Sequence, residues 1–136
     1  MEIKIHSNKT KKIAELISVN LVLRNTGDFL DLMGNASYQG AESIIISSNH
    51  LPDEFFDLKT GFAGEVLQKF SNYSLRLAIV GDFSDYKSKS LKDFIRESNR
   101  SGRILFLNDK SSDKNGINWL IRFIRHIRMI SVLIVY

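Results

Sequence analysis

Ser43-Ile44-Ile45-Ile46-Ser47 and Leu75-Arg76-Leu77-Ala78-Ile79-Val80-Gly81 are the two stretches on which the fold turns. Each is a short, nearly unbroken apolar run, and such a run reads as a strand covered on both faces, as in a parallel sheet. Between them, Pro52-Asp53-Glu54 opens a helical stretch that is interrupted near Thr60-Gly61 and resumes through Glu65-Val66-Leu67-Gln68-Lys69-Phe70. Strand, helix and strand make a βαβ unit with a right-handed crossover. Further along, Ser90 with Asp93 three residues later has the form of a capping box, for a helix that buries Leu91, Phe94 and Ile95 before Gly102. Arg103-Ile104-Leu105-Phe106-Leu107 is the next strand. In the other direction, Asn25 or Thr26 caps a helix with Phe29, Leu30, Leu32 and Met33 on its apolar side, ending around Gly40. Leu21-Val22-Leu23 is a short strand or an extended connection. At the start, Ile3 and Ile5 alternate with charged neighbours, Ser7-Asn8-Lys9-Thr10 supplies a turn, and Ile13-Ala14-Glu15-Leu16-Ile17 follows, which reads as a β-hairpin. The expected fold is α/β: a single domain whose mixed sheet of four to six strands has an N-terminal hairpin and alternating helices, packed mainly on one face.

The 136 residues suit one domain, expected as a core over 1–112 and a C-terminal segment over 113–136. At 43% apolar and 25% charged, with one Pro and no Cys, the composition is globular and rules out a disulfide scaffold. Residues 1–113 hold 15 basic and 15 acidic side chains, so the formal charge of +4 comes wholly from Lys114, Arg122, Arg125 and Arg128. A nucleic-acid surface spread over the domain is not expected from that distribution. Met1-Glu2-Ile3-Lys4-Ile5-His6 has no apolar core of a secretory signal, and a cytoplasmic location is expected. Residues 117–136 are the one membrane-like stretch, but they contain Arg122, Arg125 and Arg128. An Arg at a bilayer centre costs about 2.5–3.5 kcal/mol on insertion scales, so a spanning helix is not expected.

Common catalytic and nucleotide-binding signatures do not occur. The eight glycines form neither G-x-G-x-x-G nor a P-loop, and there is no H-E-x-x-H and no G-x-S-x-G. His6, His50 and His126 are far apart in the chain and without Cys, so no metal site and no cofactor are expected, and each His reads as a surface or partly packed residue. Position says more than motif. In open α/β sheets, ligands bind beyond the carboxyl ends of the strands. Those ends here are Ser47-Ser48-Asn49-His50, Gly81-Asp82-Phe83-Ser84 and Asn108-Asp109-Lys110. They form a polar rim with an acid (Asp82) and hydroxyls (Ser47, Ser84), or they are only turns, which draw on the same residues.

Phe55-Phe56-Asp57-Leu58-Lys59-Thr60-Gly61-Phe62-Ala63-Gly64 is poor helix material, since a Gly costs about 1 kcal/mol inside a helix. One reading restarts the helix at Thr60 as N-cap and turns its positive end toward an anion. The other makes Phe55, Phe56 and Phe62 core and leaves Thr60 as a cap alone. In the last segment, Asn118, Arg122 and Arg125 share a helical face opposite Trp119, Leu120, Phe123, Ile124, Ile127 and Ile130. That amphipathic basic helix packs on the sheet, makes an oligomer contact or adsorbs to anionic lipid. Val132-Leu133-Ile134-Val135-Tyr136 must be buried in its own domain or a neighbour.

Several strings resemble a bacterial family, domain of unknown function 4180. They are Asn35-Ala36-Ser37-Tyr38-Gln39-Gly40, Phe55-Phe56-Asp57-Leu58-Lys59-Thr60-Gly61, Lys69-Phe70-Ser71-Asn72-Tyr73, Ala78-Ile79-Val80-Gly81-Asp82-Phe83, and Ser88-Lys89-Ser90-Leu91 with Asp93-Phe94. The resemblance spans roughly residues 1–110 and implies no established reaction; the tail beyond about Ser111 departs from it. The chain is also similar to STAS domains of the anti-sigma-factor-antagonist type, which begin with a hairpin and then alternate helices and strands. In those domains a phosphorylatable Ser follows an aromatic-x-Asp and precedes a Gly at a helix start. Phe55-Phe56-Asp57 and Thr60-Gly61 are similar, with one extra residue and with Leu58 or Lys59 where the hydroxyl is expected. That departure weakens any carry-over of phosphorylation to Thr60.

The functional expectation is a STAS-like, cytoplasmic, non-enzymatic regulatory or binding module that uses Asp57, Thr60, Gly61, Gly81, Asp82 and Ser84. Its ligand is expected to be a protein partner or a small anion. A small enzyme using Asp82 with Asp57 or His50 as acid-base groups is the second reading. Self-association or membrane contact through the tail is the third.

Overall fold

The structure is a computed structural model, and it describes residues 2–7 and 11–108. The reading of residues 113–136, as helix, oligomer contact or lipid contact, lies outside the described residues. Five strands form one sheet in the order β1-β2-β3-β4-β5: β1 (Glu2–Ser7), β2 (Lys12–Ile17), β3 (Ser43–Ser47), β4 (Arg76–Gly81) and β5 (Ile104–Asn108). β1 and β2 are antiparallel, with Ile5 opposite Ala14, and every later pair is parallel. The mixed sheet with an opening hairpin is therefore present.

Four helices connect the parallel strands. α1 (Thr26–Tyr38) joins β2 to β3, α2 (Asp53–Phe56) and α3 (Phe62–Asn72) join β3 to β4, and α4 (Lys89–Ser101) joins β4 to β5. Asn25 caps α1, accepting from the Asp28 amide at 2.9 Å, while the Asp28 carboxylate accepts from the Arg24 amide at 2.9 Å. For α4 the cap is Ser88, which accepts from the Leu91 amide, and not Ser90. Asp93 instead pairs with Arg96 one turn on. Gly102 ends α4 in the left-handed region at φ 80°, a conformation that costs a side chain with a Cβ. Leu21-Val22-Leu23 is a connection rather than a strand, held by the Val22 and Leu23 amides donating to the His50 carbonyl.

A strictly sequential order with right-handed crossovers sends every connecting helix to the same side of the sheet. The two cores reflect this. On one face Ala14, Leu16, Ile44, Ile46, Leu77, Ile79, Ile104 and Phe106 pack with residues of all four helices. Phe29 of α1 is the hub there, fully buried and within 6.2 Å, ring to ring, of Phe55, Phe62 and Phe70. On the other face, among the described residues, Ile13, Ile45, Ala78, Val80 and Leu105 of the strands gather. Both faces are apolar, which is why β3 and β4 read as unbroken runs and not as alternating ones.

Candidate functional site

The carboxyl ends of β3 and β4 are level, because Ser47 pairs with Val80, and Gly81 pairs with Asn108 of β5. Beyond them lie two turns that carry the residues picked out in the sequence. In the first, Asp57 leaves α2 in an extended conformation, and its Oδ1 accepts from the Lys59 amide at 3.2 Å. A single 3-10 turn over Leu58–Thr60 follows, and Gly61 enters the left-handed region at φ 77° to start α3. Gly61, not Thr60, is thus the N-cap residue. Thr60 still closes the break: its hydroxyl donates toward the Glu54 and Asp57 carbonyls (2.7 and 2.8 Å) and accepts from the Phe62 amide at 3.3 Å. The hydroxyl that the sequence offers to an anion is occupied by its own backbone.

The second turn follows β4. Asp82 Oδ1 accepts from both the amide and the hydroxyl of Ser84, at 3.0 and 2.6 Å, which folds Gly81-Asp82-Phe83-Ser84 into a tight Asx turn. The position of Gly81 allows no side chain, because Ser48 presses against it. The structure thus joins Asp82 directly to Ser84 and Asp57 directly to Thr60. Between the two pairs the link is aromatic. Phe62 meets Phe55, Phe55 meets Phe56, and Phe56 packs on Phe83 at 6.0 Å and stacks on Tyr86 at 5.0 Å. Burial, and then the charge of Asp53, push the Tyr86 phenol above its ordinary pKa. Asp57, Thr60, Gly61, Asp82 and Ser84 stay exposed above this cluster.

His50 departs from the expectation of a surface or partly packed residue, since it is 3% exposed. Its Nδ1 accepts from the Ser47 amide at 2.9 Å, and its Nε2 is 2.6 Å from the Ser18 carbonyl. An amide only donates and a carbonyl only accepts, so the ring is the neutral Nε2–H tautomer. Both nitrogens are spent on tying the β2–α1 connection to the end of β3. Among the described residues no group of three or more His, Asp or Glu side chains gathers as metal ligands would. No described helix is long and apolar enough to cross a membrane.

The positional argument from the sequence also changes. Ligand crevices at carboxyl ends open where the strand order reverses and helices part to opposite faces. A sequential sheet has no such reversal among its described strands. Cavities among the described residues lie elsewhere, and two are of note. One, of about 380 Å3, is an apolar recess lined by Leu30, Met33, Gly34, Ser37, Tyr73 and Leu75. The other, of about 250 Å3, is polar and sits at the amino ends of the strands between Lys11, Glu42, Ser43, Ser74, Arg76 and Arg103. None of these six was singled out in the sequence. The available signal was a polar residue placed at the start of an otherwise apolar strand, as Ser43 and Arg76 are.

Fold and rim together define a small singly wound α/β protein with a hairpin at one edge of its sheet. Residues 8–117 match the family model described as Domain of unknown function (DUF4180), and the chain belongs to that family. No curated protein and no solved structure matches it.

Proposed function

We propose that the chain is a non-enzymatic, STAS-like regulatory or binding module of the cytoplasm that meets a protein partner with the rim beyond β3 and β4. The observation that carries this reading is the packing of Phe56 on Phe83 and Tyr86, which holds the Asp57–Gly61 and Gly81–Ser84 turns to one aromatic base. A surface held in this way loses little conformational freedom on contact, and so favours docking. Its charge favours a donor-rich partner. Residues 52–61 include Asp53, Glu54 and Asp57 against Lys59, so on that side of the rim a bare anion meets repulsion. The enzyme reading is less well supported, because His50 has no free nitrogen and Asp82 Oδ1 is engaged twice by Ser84.

The test uses the full chain and a double variant, Asp57→Lys with Asp82→Lys, immobilised side by side. A protein retained by the parent and released by the variant, which then binds the parent as a purified pair, is the expected result. Equal binding of that purified protein by both chains overturns the reading.

A further inference from the structure

The amino ends of the strands carry a cationic row. Ile13, Ser43 and Arg76 pair in register across β2, β3 and β4. Leu77 lies opposite Ile104, so stepping back one residue on each strand sets Arg103 beside Arg76. Side chains alternate along a strand, which puts this row on the face of Ile45, Ala78 and Leu105, opposite the four helices. Neighbouring parallel strands are about 4.8 Å apart, so two guanidinium stems stand next to each other where like charges repel.

Of the described groups around them only Glu42, which lines the same cavity, opposes their charge, and it does so in part, one carboxylate against Arg76, Arg103 and Lys11. Glu42 is exposed and shared with Lys11 at a long 3.8 Å, a contact of little weight. Arg103 Nη1 donates to the Leu75 carbonyl at 3.0 Å, which fixes that fork. Arg76 makes no side-chain hydrogen bond to a described residue, and burial and the Arg103 charge both lower its pKa. Ser43 supplies an independent sign. It is 3% exposed and lines the same cavity, yet its hydroxyl has no hydrogen-bond partner among the described residues. Buried hydroxyls are nearly always paired, so an unpaired one turned into a cationic cavity points to a ligand.

We propose that this cavity binds a phosphate dianion, free or as a small monoester, with the Arg76 and Arg103 forks on its oxygens and the Ser43 hydroxyl as a further donor. Planar guanidiniums match phosphate oxygens two at a time. A volume of about 250 Å3 accommodates phosphate with a small substituent, below the ordinary range of drug-sized pockets. The site lies at the opposite end of the strands from the rim and does not depend on it.

The full chain is titrated with inorganic phosphate, methyl phosphate and acetate while backbone amide resonances are followed. Expected are saturable shifts centred on Ser43, Ser74, Arg76 and Arg103, with acetate clearly weaker; the tighter of the two phosphates identifies a free or an esterified ligand. Arg76→Gln and Arg103→Gln each weaken binding about tenfold or more. Ser43→Ala is chosen because it leaves the fold intact: without phosphate it melts at the same or a higher temperature, and with phosphate it gains less than the parent. Shifts that do not saturate, shifts centred on Gly61 and Asp82, acetate as effective as phosphate, or unchanged binding by folded Arg variants overturn the site. If the Arg variants do not fold, equal phosphate stabilisation of Ser43→Ala and parent has the same force.

Discussion

Gly81 lies so close to Ser48 that a Cβ at position 81 would stand 2.7 Å from the Ser48 Cβ and nearer still to its hydroxyl oxygen. The backbone at the end of β4 therefore packs directly against the Ser48 side chain of the 3-10 turn over Ser48–His50. Gly81→Ala is expected to destabilise the protein by about 1–3 kcal/mol, as overpacking does. Ser48→Ala in the same chain restores little, because the Cβ remains, whereas Ser48→Gly restores more. Urea unfolding midpoints of the four chains check the order.

His50 is a strut, and its removal should register as stability. His50→Ala leaves the Ser47 amide and the Ser18 carbonyl without their partner, each worth about 1–3 kcal/mol when unsatisfied and buried. The loss is expected at about 2–4 kcal/mol in denaturant unfolding. Faster exchange of the Ser47 amide hydrogen locates the damage at the end of β3.

Asn99 of α4 acts as a substitute strand for the outer edge of β5. Its Oδ1 accepts from the Phe106 amide at 2.7 Å and its Nδ2 donates to the Phe106 carbonyl at 3.3 Å. Asn99→Ala should cost about 1–2 kcal/mol and leave the Phe106 amide and carbonyl without these partners, so aggregation on heating increases. Asn99→Asp keeps the first bond and turns the second into a repulsion. Thermal melting with light scattering distinguishes the three chains.

Tyr86 gives the protein an alkaline sensitivity of defined sign. Its pKa is raised in the folded state by burial and then by Asp53. The stability it contributes is whole below the ordinary phenol value of about 10 and is lost as pH rises through the folded value. The unfolding midpoint should therefore fall with rising pH in that range, and less steeply in Tyr86→Phe. An equal slope in both chains would show that Tyr86 is not responsible.

Much of the architecture was legible because the apolar pattern is blunt. Ile44–Ile46 and Leu77–Val80 admit little but doubly covered strands, and Asn25 before Phe29 marks a helix start that the structure keeps. The break at Thr60-Gly61 was legible for a different reason: a glycine is poor helix material, and Gly61 takes a positive φ there. Caps were less so: Ser90 has the acid three residues on that a capping box asks for, yet Ser88 accepts from the Leu91 amide and Asp93 pairs with Arg96 instead. The burial of His50 is not legible, because a lone histidine after Ser-Ser-Asn carries no mark of it. Its two partners come from Ser47 and, through a contact 32 residues distant, Ser18. The cluster of Arg76, Arg103 and Ser43 exists only in the register between strands, which single-chain spacing does not encode.

Each strand of this sheet lies beside the one that precedes it in the chain. As the protein leaves the ribosome, each of the described strands after β1 finds a partner already synthesised, and none of them is inserted between two older ones. The sheet can be laid down from one margin to the other in the order of translation, with only the latest segment left waiting for its neighbour.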